Sequence, residues 1–141
     1  MDAATRRLVR KRADDRCEYC RLPQSAAPLF TYHIEHVQAR QHGGQDDPNN
    51  LALACPDCNR FKGPNLSAID PDTGALVPLF NPRVHSWANH FAFDGVAIVG
   101  LTPIGRATVR LLNMNDEERI EMRTELDARG ELHGGSPEGH I

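Results

Sequence analysis

The chain has no apolar run approaching the roughly 20 residues that a membrane-spanning helix needs, and no apolar segment follows its charged N-terminus. These absences argue against a spanning helix and an export signal, so a cytoplasmic protein with no membrane partner is expected. No internal repeat is visible, which argues against a repeat architecture. Cysteine is scarce, at four in 141 residues, and 40% hydrophobic content at this length supports only a modest apolar core. Without an export signal, two C-x2-C pairs separated by 34 residues fit a zinc framework far better than two disulfides. Positive charge is also short overall. The formal net charge of −3 is the wrong sign for a protein that holds phosphates.

The deficit is not uniform along the chain. Residues 1–66 carry ten Lys/Arg against eight Asp/Glu, net +2, whereas residues 67–141 carry six against eleven, net −5. Cations are densest in Arg6, Arg7, Arg10, Lys11, Arg12 and Arg16, where helical spacing puts several on one face. That face either lies along a phosphate backbone or is the solvated side of an N-terminal helix. Arg7 and Lys11 are the candidate nucleic-acid contacts there.

Residues 3–16 predict a helix, being rich in Ala, Leu, Arg and Lys without Gly or Pro. Leu29–Val37 has strand character, Gln41–Asn50 is a loop by its Gly, Asp and Pro content, and Leu51–Ala54 is a short apolar strand. A short helix is expected after Cys58, stopped by Gly63-Pro64. Further on, Asp70–Gly74 reads as a turn and Ala75–Phe80 as an edge strand. Phe91–Phe93 and Val96–Val99 read as a hairpin turning on Asp94-Gly95. Thr102-Pro103 caps one helix, and Asn115 with Glu118 resembles a capping box for a last helix ending near Gly130. The expected division is a core at 1–66 and an extension at 67–141 packed on it, with a frayed tail from about 134.

Hydrolysing a phosphodiester requires a base to generate hydroxide and a cation to neutralise charge developing on the phosphate. A Mg2+ or Mn2+ ion prefers oxygen ligands and retains waters, so one carboxylate plus one amide or imidazole suffices to hold it. Glu35 and Asn59 are such a pair. Beside Glu35, His36 carries an imidazole, whose ordinary pKa of ~6.5 suits a general base. His33 shares a strand face with Glu35 and is a candidate further ligand, a phosphate contact or an orienting partner. Lys62, one helical turn beyond Asn59, is a candidate phosphate contact or a helix-end cation; Arg40 and Arg60 are further backbone-contact candidates. His42 reads as loop surface, His85 and His90 as structural residues among Trp87, Phe91 and Phe93, and His133 and His140 as tail residues.

In order, Cys17-x2-Cys20, Glu35-His36, Gly43-Gly44, Asn50-Leu51 and Cys55-x2-Cys58-Asn59-x2-Lys62 resemble the HNH endonucleases of the four-cysteine, zinc-braced subgroup. Leu79-Phe-Asn-Pro-Arg83 and Trp87-x2-His90-Phe91 resemble the C-terminal extension of bacterial members. The resemblance implies an α+β fold: a small ββα-metal core braced by zinc on Cys17, Cys20, Cys55 and Cys58, a basic N-terminal helix, and a C-terminal hairpin-plus-helix extension. It also implies DNA, duplex or branched, as substrate. His36 would activate water, Glu35 and Asn59 would hold the divalent ion, and Asn50 would pin the loop that orients the base. Two positions depart from the common pattern: Asn59 stands where many members have His, and Glu35 where Asp is common. The first favours a hard ion such as Mg2+ or Mn2+; the second moves the carboxylate one methylene out. A monomer would nick one strand, and a two-fold homodimer would cut both. The competing reading is a non-catalytic zinc module that binds nucleic acid or protein, in which Glu35 and His36 merely decorate a hairpin.

Overall fold

The computed structural model describes residues 1–133, so the tail expected from 134, with His140, lies outside the described residues. The fold is α+β: short helices around three separate two-stranded antiparallel sheets. Among the described residues, no helix is long and apolar enough to cross a membrane.

The N-terminal helix, α1 (Ala3–Arg12), is capped by Asp2, whose carboxylate accepts from Thr5 N at 2.8 Å. It ends four residues short of the predicted boundary because Asp14 and Asp15 take positive φ, 55° and 54°, and turn the chain into Cys17. Its single buried residue, Val9, anchors it on the core. The cations around it are divided in use. Arg10 donates to Tyr32 O at 3.0 Å, Arg12 to Leu51 O at 2.8 Å, and Arg16, beyond the helix, to Arg21 O and Leu132 O at 2.9 and 3.1 Å. Carbonyls needing donors therefore take up these three guanidiniums: Arg16 is buried and Arg10 half-buried, while Arg12 stays exposed, as do Arg6, Arg7 and Lys11.

A hairpin follows, built of β1 (His33–His36) and β2 (Leu51–Ala54), with Glu35 opposite Ala52 and His36 opposite Leu51. The strand is shorter than the Leu29–Val37 span expected. Leu29 and Phe30 are exposed, and the Gln24 side chain, bonded to Ala27 O, Phe30 O and Tyr32 N, folds the preceding segment into turns. All four residues of β2 are buried. Its second edge is covered by Glu18, which donates its N–H to Leu53 O at 2.8 Å and accepts from Leu53 N at 2.9 Å.

Helix α2 (Pro56–Lys62) completes a β-β-α unit. It starts before Cys58 rather than after it, because Cys55 is the cap, its Sγ accepting from Cys58 N at 3.4 Å, and Pro56 supplies the first helical residue.

The C-terminal half comprises β3 (Ser67–Ile69) paired with β4 (Leu76–Pro78), α3 (Trp87–His90), the hairpin β5 (Phe91–Asp94) and β6 (Ala97–Gly100), α4 (Pro103–Leu111) and α5 (Glu117–Ala128). The hairpin turns on Gly95-Val96, one residue later than predicted, because Asp94 pairs with Ala97 and only Gly95, φ 62°, needs a left-handed conformation. The last helix is capped by Asp116, which accepts from Arg119 N at 2.7 Å. Asn115, the predicted cap, instead ties the hairpin, accepting from Ile98 N and donating to Ile98 O, both at 2.8 Å. Thr102 and Pro103 start α4 as expected. Asp70, fully buried at the β3–β4 turn, is held by Arg106 of α4 at 2.9 and 2.8 Å, which keeps its carboxyl well below the usual range.

Both halves share one core. Trp87 donates Nε1–H to Tyr19 O at 2.8 Å, Arg83 pairs with Glu18, and Phe80 packs edge-on against Tyr19 and Phe91. His85 packs at a tilt against Phe80, His90 packs edge-on against it, and His133 packs edge-on against Phe93.

Candidate metal centre and cleft

The four cysteines converge although 34 residues separate the pairs, because the bend after α1 and the cap of α2 flank the same end of β2. All are buried, and their four Sγ atoms lie within 4.8 Å of one another. The Cys20 and Cys55 sulfurs are 3.7 Å apart. A tetrahedron with Zn–S bonds of about 2.3 Å has edges of about 3.8 Å, so the donor set fits zinc in both chemistry and spacing. Packed this closely, the thiols do not ionise independently: hydrogen bonds from neighbouring thiols pull Cys20 well down, while burial pushes Cys58 well up. A bound cation removes that conflict.

Arg119 of α5, 61 residues beyond Cys58, reaches this cluster. It donates Nη1–H to Cys58 Sγ at 3.0 Å and Nε–H to Asp116 at 3.1 Å, with further bonds to Leu112 O and Asn113 O, and is 1% exposed. Burial opposes its charge, but Cys58, Cys20 and Cys55 more than offset this and raise its pKa. Four thiolates around one Zn2+ leave two excess negative charges, and a buried guanidinium offsets part of them.

Separately from the cysteines, His33, Glu35, His36, Arg40 and Asn59 line one cleft of about 560 Å³. Glu35 is 7% exposed. Tyr19 O–H donates to its Oε1, and the Lys62 ammonium lies 3.3 Å from Oε2 while also donating to Val37 O at 3.0 Å. Burial pushes the Glu35 carboxyl up, and Lys62 and Tyr19 act against it. Lys62, 1% exposed, is therefore a buried partner of Glu35 and Val37 O, which differs from the expected phosphate contact. The helix carries it inward because i+3 from Asn59 falls on the core side.

Among the described residues, the cysteines form the only cluster of three or more His, Cys, Asp or Glu ligand atoms. Each Glu35 oxygen holds one protein partner and retains a lone pair, and Asn59 offers an amide oxygen in the same cleft. That donor set fits a hard divalent ion that keeps most of its waters.

His36 Nε2 lies 2.6 Å from Asp46 Oδ1. Arg40 donates Nη2–H to both Asp46 oxygens, at 2.8 and 3.0 Å, so the cation expected on phosphate clasps a carboxylate. Arg60 pairs with Asp57 at 3.1 Å and stacks over Phe61, remaining exposed. Asn50 accepts from Gln38 N at 2.9 Å and donates to Gln38 O and Gln45 O, both at 3.0 Å, closing the loop. Gly44 permits that closure: a Cβ there would stand 1.7 Å from Gln38 O.

Sequence reasoning missed Tyr19, Asp46 and Arg119. Tyr19 sat in plain view between the first cysteines. Asp46 and Arg119 carry no local signal, since only the loop and the last helix bring them to His36 and Cys58.

The buried pair gives a first expected result. Lys62→Met strands a desolvated carboxylate and should cost about 3–5 kcal/mol in urea unfolding. Adding Glu35→Gln should recover most of it; an unchanged midpoint for Lys62→Met would refute the pairing.

Comparison with protein-family models matches residues 17–65 to HNH endonuclease. No curated protein and no solved structure matches the chain.

Proposed function

We propose, from the match of residues 17–65 to the HNH endonuclease family model, that the chain hydrolyses phosphodiester bonds of DNA with one divalent ion and a histidine base. The supporting observation is that Glu35, His36, Asn59 and His33 line one cleft, in a chain whose four cysteines also cluster as a metal-ligand set. His36 takes the proton of the attacking water. Glu35 and Asn59 would hold Mg2+ or Mn2+, with His33 at its edge; when bound, the ion supplies charge opposite the developing negative phosphate. Asn50 keeps the loop after His36 closed. Zinc on the cysteines braces the hairpin and takes no part in chemistry, since four thiolates leave no open position. Exposed Arg6, Arg7, Lys11 and Arg60 are available to a phosphate backbone.

A second reading, a non-catalytic zinc module, draws on the engagement of Glu35 by Tyr19 and Lys62, which satisfies the carboxylate without a second metal. Metal dependence separates the two. Zinc-loaded protein should nick or linearise supercoiled plasmid when Mg2+ or Mn2+ is added, and leave it intact in their absence. DNA binding without cleavage at any divalent-ion concentration would favour the module.

A further inference from the structure

Asp46 has no place in the motif set, yet among the described residues it makes the one side-chain hydrogen bond of His36. The geometry points to Asp46 as the positioning residue of the base: its carboxylate holds the proton on His36 Nε2, leaving the Nδ1 lone pair to accept a proton from water. This deepens the nuclease reading and rests on it.

Three observations carry the assignment. The Nε2 to Oδ1 distance, 2.6 Å, is that of a charge-assisted hydrogen bond, and Nδ1 has no hydrogen-bond partner among the described residues. A carboxylate at Nε2 selects the tautomer, because an ionised carboxylate only accepts and the nitrogen facing it must donate. Asp46 is held ionised, its carboxyl lowered to about 2 by its bonds to His36 and Arg40.

The second observation is the clasp. Arg40 contacts both Asp46 oxygens, which fixes the rotation of the carboxylate and gives its negative charge a partner other than the imidazole. An exposed Asp–His pair alone would be loose. Here the aspartate is pinned by a second residue, Arg40, through both of its oxygens.

The third is the loop. One Asn50 amide binds both Gln38, two residues after His36, and Gln45, the residue before Asp46. The middle residue of the motif therefore sets the distance between base and carboxylate. Gly44, which no side chain can replace without displacing Gln38 O, lets the two chain segments touch. The sequence separation of ten residues between His36 and Asp46 is bridged by one side chain at each end.

The test combines a spectroscopic and a kinetic readout on zinc-loaded full chain. Long-range 1H–15N correlation of the imidazoles, at a pH where they are neutral, should find His36 protonated on Nε2 in the wild type. In Asp46→Ala that preference should be lost. With supercoiled plasmid and Mg2+, Asp46→Ala should lower kcat by about 10- to 10²-fold, as for outer-shell partners of functional histidines, with KM unchanged; Asp46→Asn, which keeps an acceptor oxygen, should fall between. Asp46 is a loop residue with its side chain 41% exposed, so the fold should survive, and zinc content and the amide spectrum verify this. A wild-type His36 protonated on Nδ1, or an Asp46→Ala protein that cleaves at the wild-type rate, would overturn the assignment. Failure of the wild type to cleave would instead overturn the nuclease reading and with it the catalytic purpose of the pair; the tautomer would still decide whether the contact exists.

Discussion

His36→Ala should reduce plasmid cleavage by about 10²–10⁴-fold, the usual contribution of a positioned general base, while plasmid binding and zinc content stay at wild-type levels. The imidazole projects from the end of β1, partly exposed, and its side-chain hydrogen bonding is confined to Asp46. Removing it leaves the β1–β2 ladder, the Asn50 clamp and the four cysteines untouched. Loss of cleavage therefore cannot be attributed to loss of the scaffold, provided the amide spectrum is retained. Full residual activity in the variant would remove His36 from the base position and leave His33, which lines the same cleft, as the next group to test. The measurement is initial nicking rate against enzyme concentration, with binding read separately in Ca2+, a hard cation held by the same oxygen-donor chemistry.

Removing the structural metal should have the other large effect. Zinc binding contributes about 10–16 kcal/mol in small zinc-folded peptides, against a net stability of about 5–15 kcal/mol for a typical domain. Chelation, or Cys17→Ser or Cys58→Ser, should consequently unfold the β-β-α unit, seen as loss of the cooperative thermal transition and of dispersed amide signals. Cys58→Ser should be the more damaging, because it also deprives the buried Arg119 of its thiolate. A well-folded, zinc-free double mutant would refute the zinc assignment. Arg119→Met offers a finer comparison: the fold should persist and zinc should leave faster to a chelator, since the cluster loses its buried counter-charge.

Much of the core was readable before any fold was known, and the reasons are local. C-x2-C spacing closes a metal-binding loop by itself, and alternation in a short strand puts His33 and Glu35 on one face. Gly-Gly followed by Asn-Leu announces a tight loop that returns to a strand. Helix boundaries were less legible where a side chain had two uses. Asn115 looks like a cap but holds the β5–β6 hairpin, and Asp116 takes its place. Asp94-Gly95 looks like a turn pair, but cross-strand pairing of Asp94 with Ala97 moves the turn to Gly95-Val96.

Cations were read least well. A sequence displays the charge of Arg10, Arg12, Arg16, Arg40, Lys62 and Arg119 but not its direction. Long side chains go wherever a buried acceptor lies within reach, and those acceptors are assembled from distant segments: Leu51 O for Arg12, Glu35 for Lys62, Cys58 for Arg119. The sequence by itself determined the family resemblance, the four candidate metal-binding cysteines and the order of base, amide and ligand candidates, because each depends on residue type at short spacing. Only the tertiary structure decided which charges face inward, that Asp46 meets His36, and that the last helix reaches the metal centre. Those contacts depend on polar groups that need partners being brought together across as many as 116 residues of chain.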